Sequence, residues 1–145
     1  MKRWLGPVQI LLDTNIIVSG LISGNGPPRQ LLWGWQQEKF VLVTSFEQIA
    51  ELARVVGYGR LRQRIDPRIA TRTIKTMSVV GHVVPDARPV NYSPDPDDNI
   101  ILATAIAGGA DLIVSGDKRD MLALGQVGGI RIVTARGAVE QLKLI

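Results

Sequence analysis

Short apolar runs that alternate with helical segments limit most strongly what this chain can fold into. The runs cover residues 8–12, 40–43, 82–84, 111–114 and 130–133, rich in Val, Ile and Leu. Runs of this length with little polar alternation suit strands covered on both faces. Helical signals fill the spaces between them. The segment 16–22 is short and apolar, and Pro27-Pro28 can open a helix running through Gln30 to Glu38. Further helices are expected over 46–56, from Pro67, from near Asp98 to Ala107, over 118–124 and over 135–142. Alternating strands and helices require crossover connections, so a mostly parallel sheet flanked by helices is expected. At 145 residues and 46% hydrophobic, without repeats or low-complexity stretches, residues 1–145 read as a single α/β domain.

Several local patterns carry finer expectations. Ser45 and Gln48 form a capping-box pattern ahead of the helix over 46–56. Phe46, Ile49, Ala53 and Val56 make its apolar face, with Glu47 and Glu51 opposite. The helix over 99–107 is apolar almost all round and should be buried. Trp33 and Trp35 cannot share one narrow helix face, so one of them is expected at an interface, and a homodimer would use it.

The acids fall where a parallel sheet binds ligands. Leu11-Leu12-Asp13-Thr14-Asn15 ends the first strand in an acid, a hydroxyl and an amide, and open α/β sheets bind ligands at strand carboxyl ends. Asp117 ends the fourth strand in the same way, and Glu51 and Asp98 lie in settings that could reach the same rim. Each has a plainer reading. Asp13 could cap the following helix, although Asn15 could supply that cap or orient the site. Glu51, opposite the apolar face, could be solvated, and Asp117 could be a turn residue. Asp98 could open its helix and interact with the free amides there. One cap does not account for Asp95, Asp97 and Asp98 in four residues. Clustered carboxylates repel unless a cation offsets them, and oxygen-only ligands suit Mg²⁺ or Mn²⁺. Such ions activate water and stabilise the leaving oxygen of a phosphodiester.

The composition narrows the class further. The chain has no cysteine, which excludes disulfides, zinc-thiolate sites and thiol nucleophiles. A single histidine, His82, excludes a two-histidine ribonuclease mechanism. There is no dinucleotide-binding glycine fingerprint after the first strand and no phosphate-loop lysine motif. The charge of +4 and pI near 9.9 favour a polyanionic partner. Arg54, Arg60, Arg62, Arg64, Arg68 and Arg72 cluster against one acid, Asp66; a basic flank beside an acidic pocket suits a phosphodiester-cleaving enzyme, and a solvated helix face is the plainer account. Residues 1–7 begin like a signal peptide, but Asp13 breaks the apolar run that follows and no cleavage site or span of about 18 apolar residues is found, so the expectation is a soluble, cytoplasmic protein without a membrane span.

Taken in order, four blocks resemble those of PIN-domain nucleases, in particular the branch that serves as toxin components of prokaryotic toxin–antitoxin pairs. Leu11-Leu12-Asp13-Thr14-Asn15 is similar to the opening signature, and Val43-Thr44-Ser45 through Glu51-Leu52 to the second block. Asp95-Pro96-Asp97-Asp98-Asn99, followed by Ala103-Thr104-Ala105 and Gly109-Ala110-Asp111, resembles the third. Ile113-Val114-Ser115-Gly116-Asp117 resembles the fourth, with Ser115 where the family usually has threonine. The resemblance implies a three-layer α/β/α fold with a central, mostly parallel sheet. It implies Mg²⁺- or Mn²⁺-dependent hydrolysis of RNA, with Asp13, Glu51, Asp98 and Asp117 around the metal. The assignment of Glu51 rests on this resemblance alone. Asn15, Asp97 and Ser115 would be auxiliary, and Asp120 falls one place later than the pattern expects. A cognate antitoxin would hold such a toxin inactive. Arg60, Arg62, Arg64 and Arg68 would position the RNA backbone. The competing reading is a non-catalytic RNA- or protein-binding module on the same fold, which would have no need of four acids. A phospho-acceptor regulatory domain fits worse, because Pro85-Asp86 is a poor acceptor site.

Overall fold

The computed structural model describes residues 7–117 and 119–143. The signal-like start of the chain, residues 1–6, and Lys118, the expected start of a short helix, lie outside the described residues. In chain order the elements are β1 (Gln9–Leu12), α1 (Thr14–Ile22), α2 (Pro27–Gln36), β2 (Val41–Thr44), α3 (Phe46–Val56), α4 (Gly59–Arg64) and α5 (Pro67–Val80). There follow β3 (His82–Val83), α6 (Pro96–Ala107), β4 (Leu112–Val114), α7 (Met121–Leu124), β5 (Gln126–Val127), β6 (Ile130–Val133) and α8 (Ala135–Leu142).

One sheet runs in the order β3-β2-β1-β4-β6-β5. Every pairing is parallel except that of β5 with β6. Because side chains alternate along a strand, β1 presents Ile10 and Leu12 to one face and Leu11 to the other. Ile10, Leu12, Leu42 and Val114 join a core with residues of α1, α2, α3, α5 and α8. Leu11, Val43, Ile113 and Ile132 join a second core with Ile101, Leu102 and Ala105 of α6 and Met121 of α7. The architecture is therefore three-layered, α/β/α. Gly108 lets the end of α6 approach the sheet, since a Cβ there would lie 2.7 Å from Val84 Cγ2 and 2.8 Å from Val43 Cγ1. Gly109 then closes the helix at φ +66°, which favours glycine.

Five local expectations change. The edge strand β5 was not foreseen, because two residues show no periodicity; Gly128 and Gly129, at φ 56° and 80°, make the tight hairpin that pairs it with β6. The arginine-rich segment after Gly57 forms the helix α4. On α3 the inward residues are Gln48, Ile49 and Leu52, whereas Phe46 is 65% exposed and Ala53 is exposed. The side-chain bonds of buried Gln48, described below, set that rotation. On α6, Asp95 is the cap, accepting from Asp97 N at 2.9 Å, and the helix starts at Pro96. Asp98 therefore lies inside the first turn and does not open the helix. Nor is α6 covered on all sides, for Ile100 and Ile106 are exposed. The two tryptophans do separate, Trp35 buried and Trp33 exposed. Among the described residues no helix is long and apolar enough to cross a membrane.

Candidate active site

The chain winds outward from β1 through β2 to β3, then returns to place β4 on the other side of β1. This reversal is a topological switch point, where the loops leaving adjacent strands diverge and open a crevice. Asp13 follows β1, and Ser115 and Asp117 follow β4, so both acids stand at the mouth of that crevice. Asp13 N donates to Val114 O at 2.9 Å, which holds the two strand ends together. Ser115, fully buried, donates its hydroxyl to Asp13 Oδ2 at 3.0 Å and accepts from Asp117 N at 3.1 Å. One side chain thus orients both acids. Asp117 Oδ1 accepts from the amides of Arg119 at 3.0 Å and Asp120 at 3.2 Å, so its turn-forming role is real, and it borders the cleft as well. Asp13 occupies the cap position of α1 without a side-chain cap bond, and Asn15 lies within the first turn as an exposed residue.

The second wall is α3. Ser45 Oγ accepts from Gln48 N at 3.1 Å, which is half of the expected capping box. The other half is absent: Gln48 Nε2 donates to Leu12 O and Gln48 Oε1 accepts from Thr44 Oγ1, each at 2.7 Å. Buried Gln48 therefore ties α3 to the last residue of β1, and Glu47 and Glu51 flank it on the same helix. The third wall is the start of α6. Ser93 Oγ donates to Asp98 Oδ2 at 2.9 Å and accepts from Asp95 N at 3.1 Å. Asn99 holds the preceding loop by accepting from Tyr92 N and Ser93 N, both at 2.9 Å, and by donating to Ser93 O at 2.8 Å.

These walls enclose a cleft of about 300 Å³. Asp13, Glu47, Glu51, Asp95, Asp97, Asp98 and Asp117 line it, and among the described residues no Lys, Arg or His joins the lining. All four acids singled out from the sequence thus border one space, with Asn15 and Asp97. Asp120 was given no part by sequence position, yet it can bring a carboxylate oxygen within 4.8 Å of those of Asp95 and Asp98. The register of Asp120 against the start of α6 depends on how the loop after β4 folds, and sequence spacing carries no signal for it. Thr14 Oγ1 is buried at the same cleft with no partner among the described residues, a polar atom that a cation's water or a substrate oxygen can satisfy. Arg60, Arg62 and Arg64 are exposed on α4, which follows the helix carrying Glu51; exposed Arg68 lies 3.8 Å from the Asp66 carboxylate.

Burial and crowding raise the pKa values of Asp98 and Asp13. Asp98 is pushed up to about 6, first by burial and then by the charges of Asp95, Asp117 and Asp13, against the lowering effect of the Ser93 bond. Asp13 is also raised, chiefly by burial, with Glu51 and Asp117 adding to the effect and Ser115 opposing it. A carboxyl whose folded pKa is raised disfavours the fold when it ionises, so the metal-free protein should lose stability as pH rises from about 4 through 6. Proton and cation compete for the same oxygens. We therefore expect Mn²⁺ affinity, measured by calorimetric titration, to fall by up to roughly tenfold per pH unit below 6. Affinity equal at pH 7 and pH 5 would show that Asp98 does not face the ion.

Fold and cleft together define an α/β domain with a nuclease-type acidic pocket at the sheet switch point. The profile of the PIN domain matches residues 9–119, and the chain belongs to that family. PIN domains are generally nucleases that use divalent metal ions. The chain is also similar to an uncharacterized protein of Methanocaldococcus jannaschii, 29% identical over 119 residues, which are 81% of this chain and 75% of that protein.

Proposed function

We propose that this PIN domain is a Mg²⁺- or Mn²⁺-dependent endoribonuclease and the toxin component of a toxin–antitoxin pair. The observation that carries the reading is the convergence of Asp13, Glu51, Asp98 and Asp117, from four separate parts of the chain, on one cleft. Such a set is self-repelling without a cation, and its donors are all hard oxygens. When bound there, a divalent ion would lower the pKa of its water and stabilise charge on the phosphodiester. Asp13 and Asp98 would hold the principal ion, and Glu51 and Asp117 would complete the donor set. Ser115 and Ser93 each fix one oxygen, Oδ2, of Asp13 and Asp98 respectively, and Thr14 and Asn15 line the same cleft. Asp97 and Asp120 add negative potential at the rim.

The toxin assignment rests on the sequence resemblance, and a cognate antitoxin covers the cleft in this reading. Exposed Trp33 on α2 is the surface on which a homodimer would form.

The test is cleavage of a fluorescently labelled single-stranded RNA by purified protein in Mn²⁺, Mg²⁺ and EDTA. Cutting in either metal and none in EDTA is expected. Protein that neither cuts nor binds metal would instead be a binding module. The α4 arginines supply affinity without sequence choice, since phosphate contacts position the strand. Arg62→Glu with Arg64→Glu should weaken RNA binding and flatten its salt dependence by about one unit of slope per arginine. Unchanged RNA affinity at low salt would remove α4 from the interface.

A further inference from the structure

A groove of about 510 Å³ adjoins the acidic cleft, and Glu47 and Ile100 border both. Its floor is the side of α6 that carries Ile100 and Ala103, and its far wall is the loop with Ala87 and Val90. A helix apolar on every side is normally covered on every side. Here Ile100 stays 45% exposed beside this groove, so the surplus apolar surface of α6 has no full cover among the described residues. The loop opposite is anchored, because Asn99 binds the backbone of Tyr92 and Ser93. Among the described residues, the ionisable ones in the lining are the carboxylates Glu47 and Asp86. A phosphate is repelled from such a place, whereas the flat, uncharged base of a nucleotide fits apolar walls with a few polar groups. Asp86, held at φ 48°, makes no hydrogen bond among the described residues. A carboxylate only accepts, so it pairs best with a base edge that presents two neighbouring N–H donors, as guanine does.

We propose that this groove seats the base of the nucleotide next to the scissile phosphate, and that Asp86 selects guanine there. The proposal rests on the nuclease reading above for its position, since the cleft fixes where the phosphate lies. It rests on continuity of the two spaces for the occupant: a strand whose phosphate enters the acidic cleft has its neighbouring base within reach of α6 and the 85–90 loop.

The experiment has two arms. In the first, cut sites on a random-sequence RNA are mapped in Mn²⁺ for the parent, Asp86→Asn and Ala87→Trp, a loop substitution that fills the groove at a residue outside the lining of the acidic cleft. The parent should show guanine enriched at one fixed position beside the cut. Asp86→Asn should reduce that enrichment by about tenfold, as loss of a paired base contact does, and Ala87→Trp should remove it while Mn²⁺ binding stays unchanged. In the second arm, guanosine and uridine 5′-monophosphates are titrated into metal-free protein, with NMR shifts followed at Ala87, Ile100 and Ala103. Shifts with guanosine monophosphate that Ala87→Trp abolishes are expected. If the parent cuts no RNA, the nuclease reading fails, and the titration still decides whether the groove takes a base. Cutting with no guanine enrichment, or enrichment that both variants retain, overturns the proposal and leaves the groove to a protein partner.

Discussion

Asp13→Asn and Asp98→Asn should each abolish metal-dependent cleavage while making the metal-free protein more stable at pH 7. The two effects have one origin. Both carboxyls have raised pKa values because burial and neighbouring acids disfavour their charge. Asparagine keeps the shape and the oxygen that accepts from Ser115 or Ser93, but it removes the charge that repels its neighbours. Loss of a residue that merely orients a metal ligand reduces affinity by about 10–100-fold. Removal of the ligand's charge should exceed that, so single-turnover cleavage should fall at least a hundredfold. Thermal unfolding in EDTA should show a higher midpoint for both variants at pH 7, with the difference shrinking toward pH 4. A lower midpoint, or cleavage within a few fold of the parent, would place the chemistry elsewhere.

Gln48→Leu should have the largest structural effect of any single change near the site. The side chain is buried, and both ends of its amide are used at 2.7 Å, on Leu12 O and Thr44 Oγ1. Leucine fills similar volume but leaves that buried carbonyl and hydroxyl without these bonds. Each buried polar group so stripped costs about 1–3 kcal/mol. A loss of about 2–5 kcal/mol would lower the melting temperature by on the order of 10 °C in a domain of this size. The loss also has a functional readout. Glu47 and Glu51 reach the cleft only because α3 is pinned beside Asp13, so Mn²⁺ affinity should fall even where the variant is fully folded. Loss of stability with metal affinity intact would make Gln48 structural alone.

Asp13, Asp98 and Gln48 differ in how much of their role is legible in the sequence. Sequence alone determined the alternation of strands and helices, because apolar runs of three to five residues bounded by turn signals leave few other arrangements. It determined that Asp13 and Asp117 close parallel strands, and that placement follows from strand length and chain direction. Periodicity misread α3. It assigned Phe46 and Ala53 to the core and gave Gln48 a local cap, because a helix considered alone has no reason to turn a glutamine inward. Only the packing of β1 beside β2 offers the Leu12 carbonyl that a buried amide can satisfy. Asp98 was likewise read as the opening residue of its helix, since three acids in four positions compete for one cap, and the choice of Asp95 follows from the turn made by Pro96 and Ser93. Asp120 reached the acid cluster through the fold of the loop after β4. The sequence thus determined which acids exist and which strands carry them. The tertiary structure decided which acids share a space, because that depends on the order of strands in the sheet, and long-range pairing leaves no period in the chain.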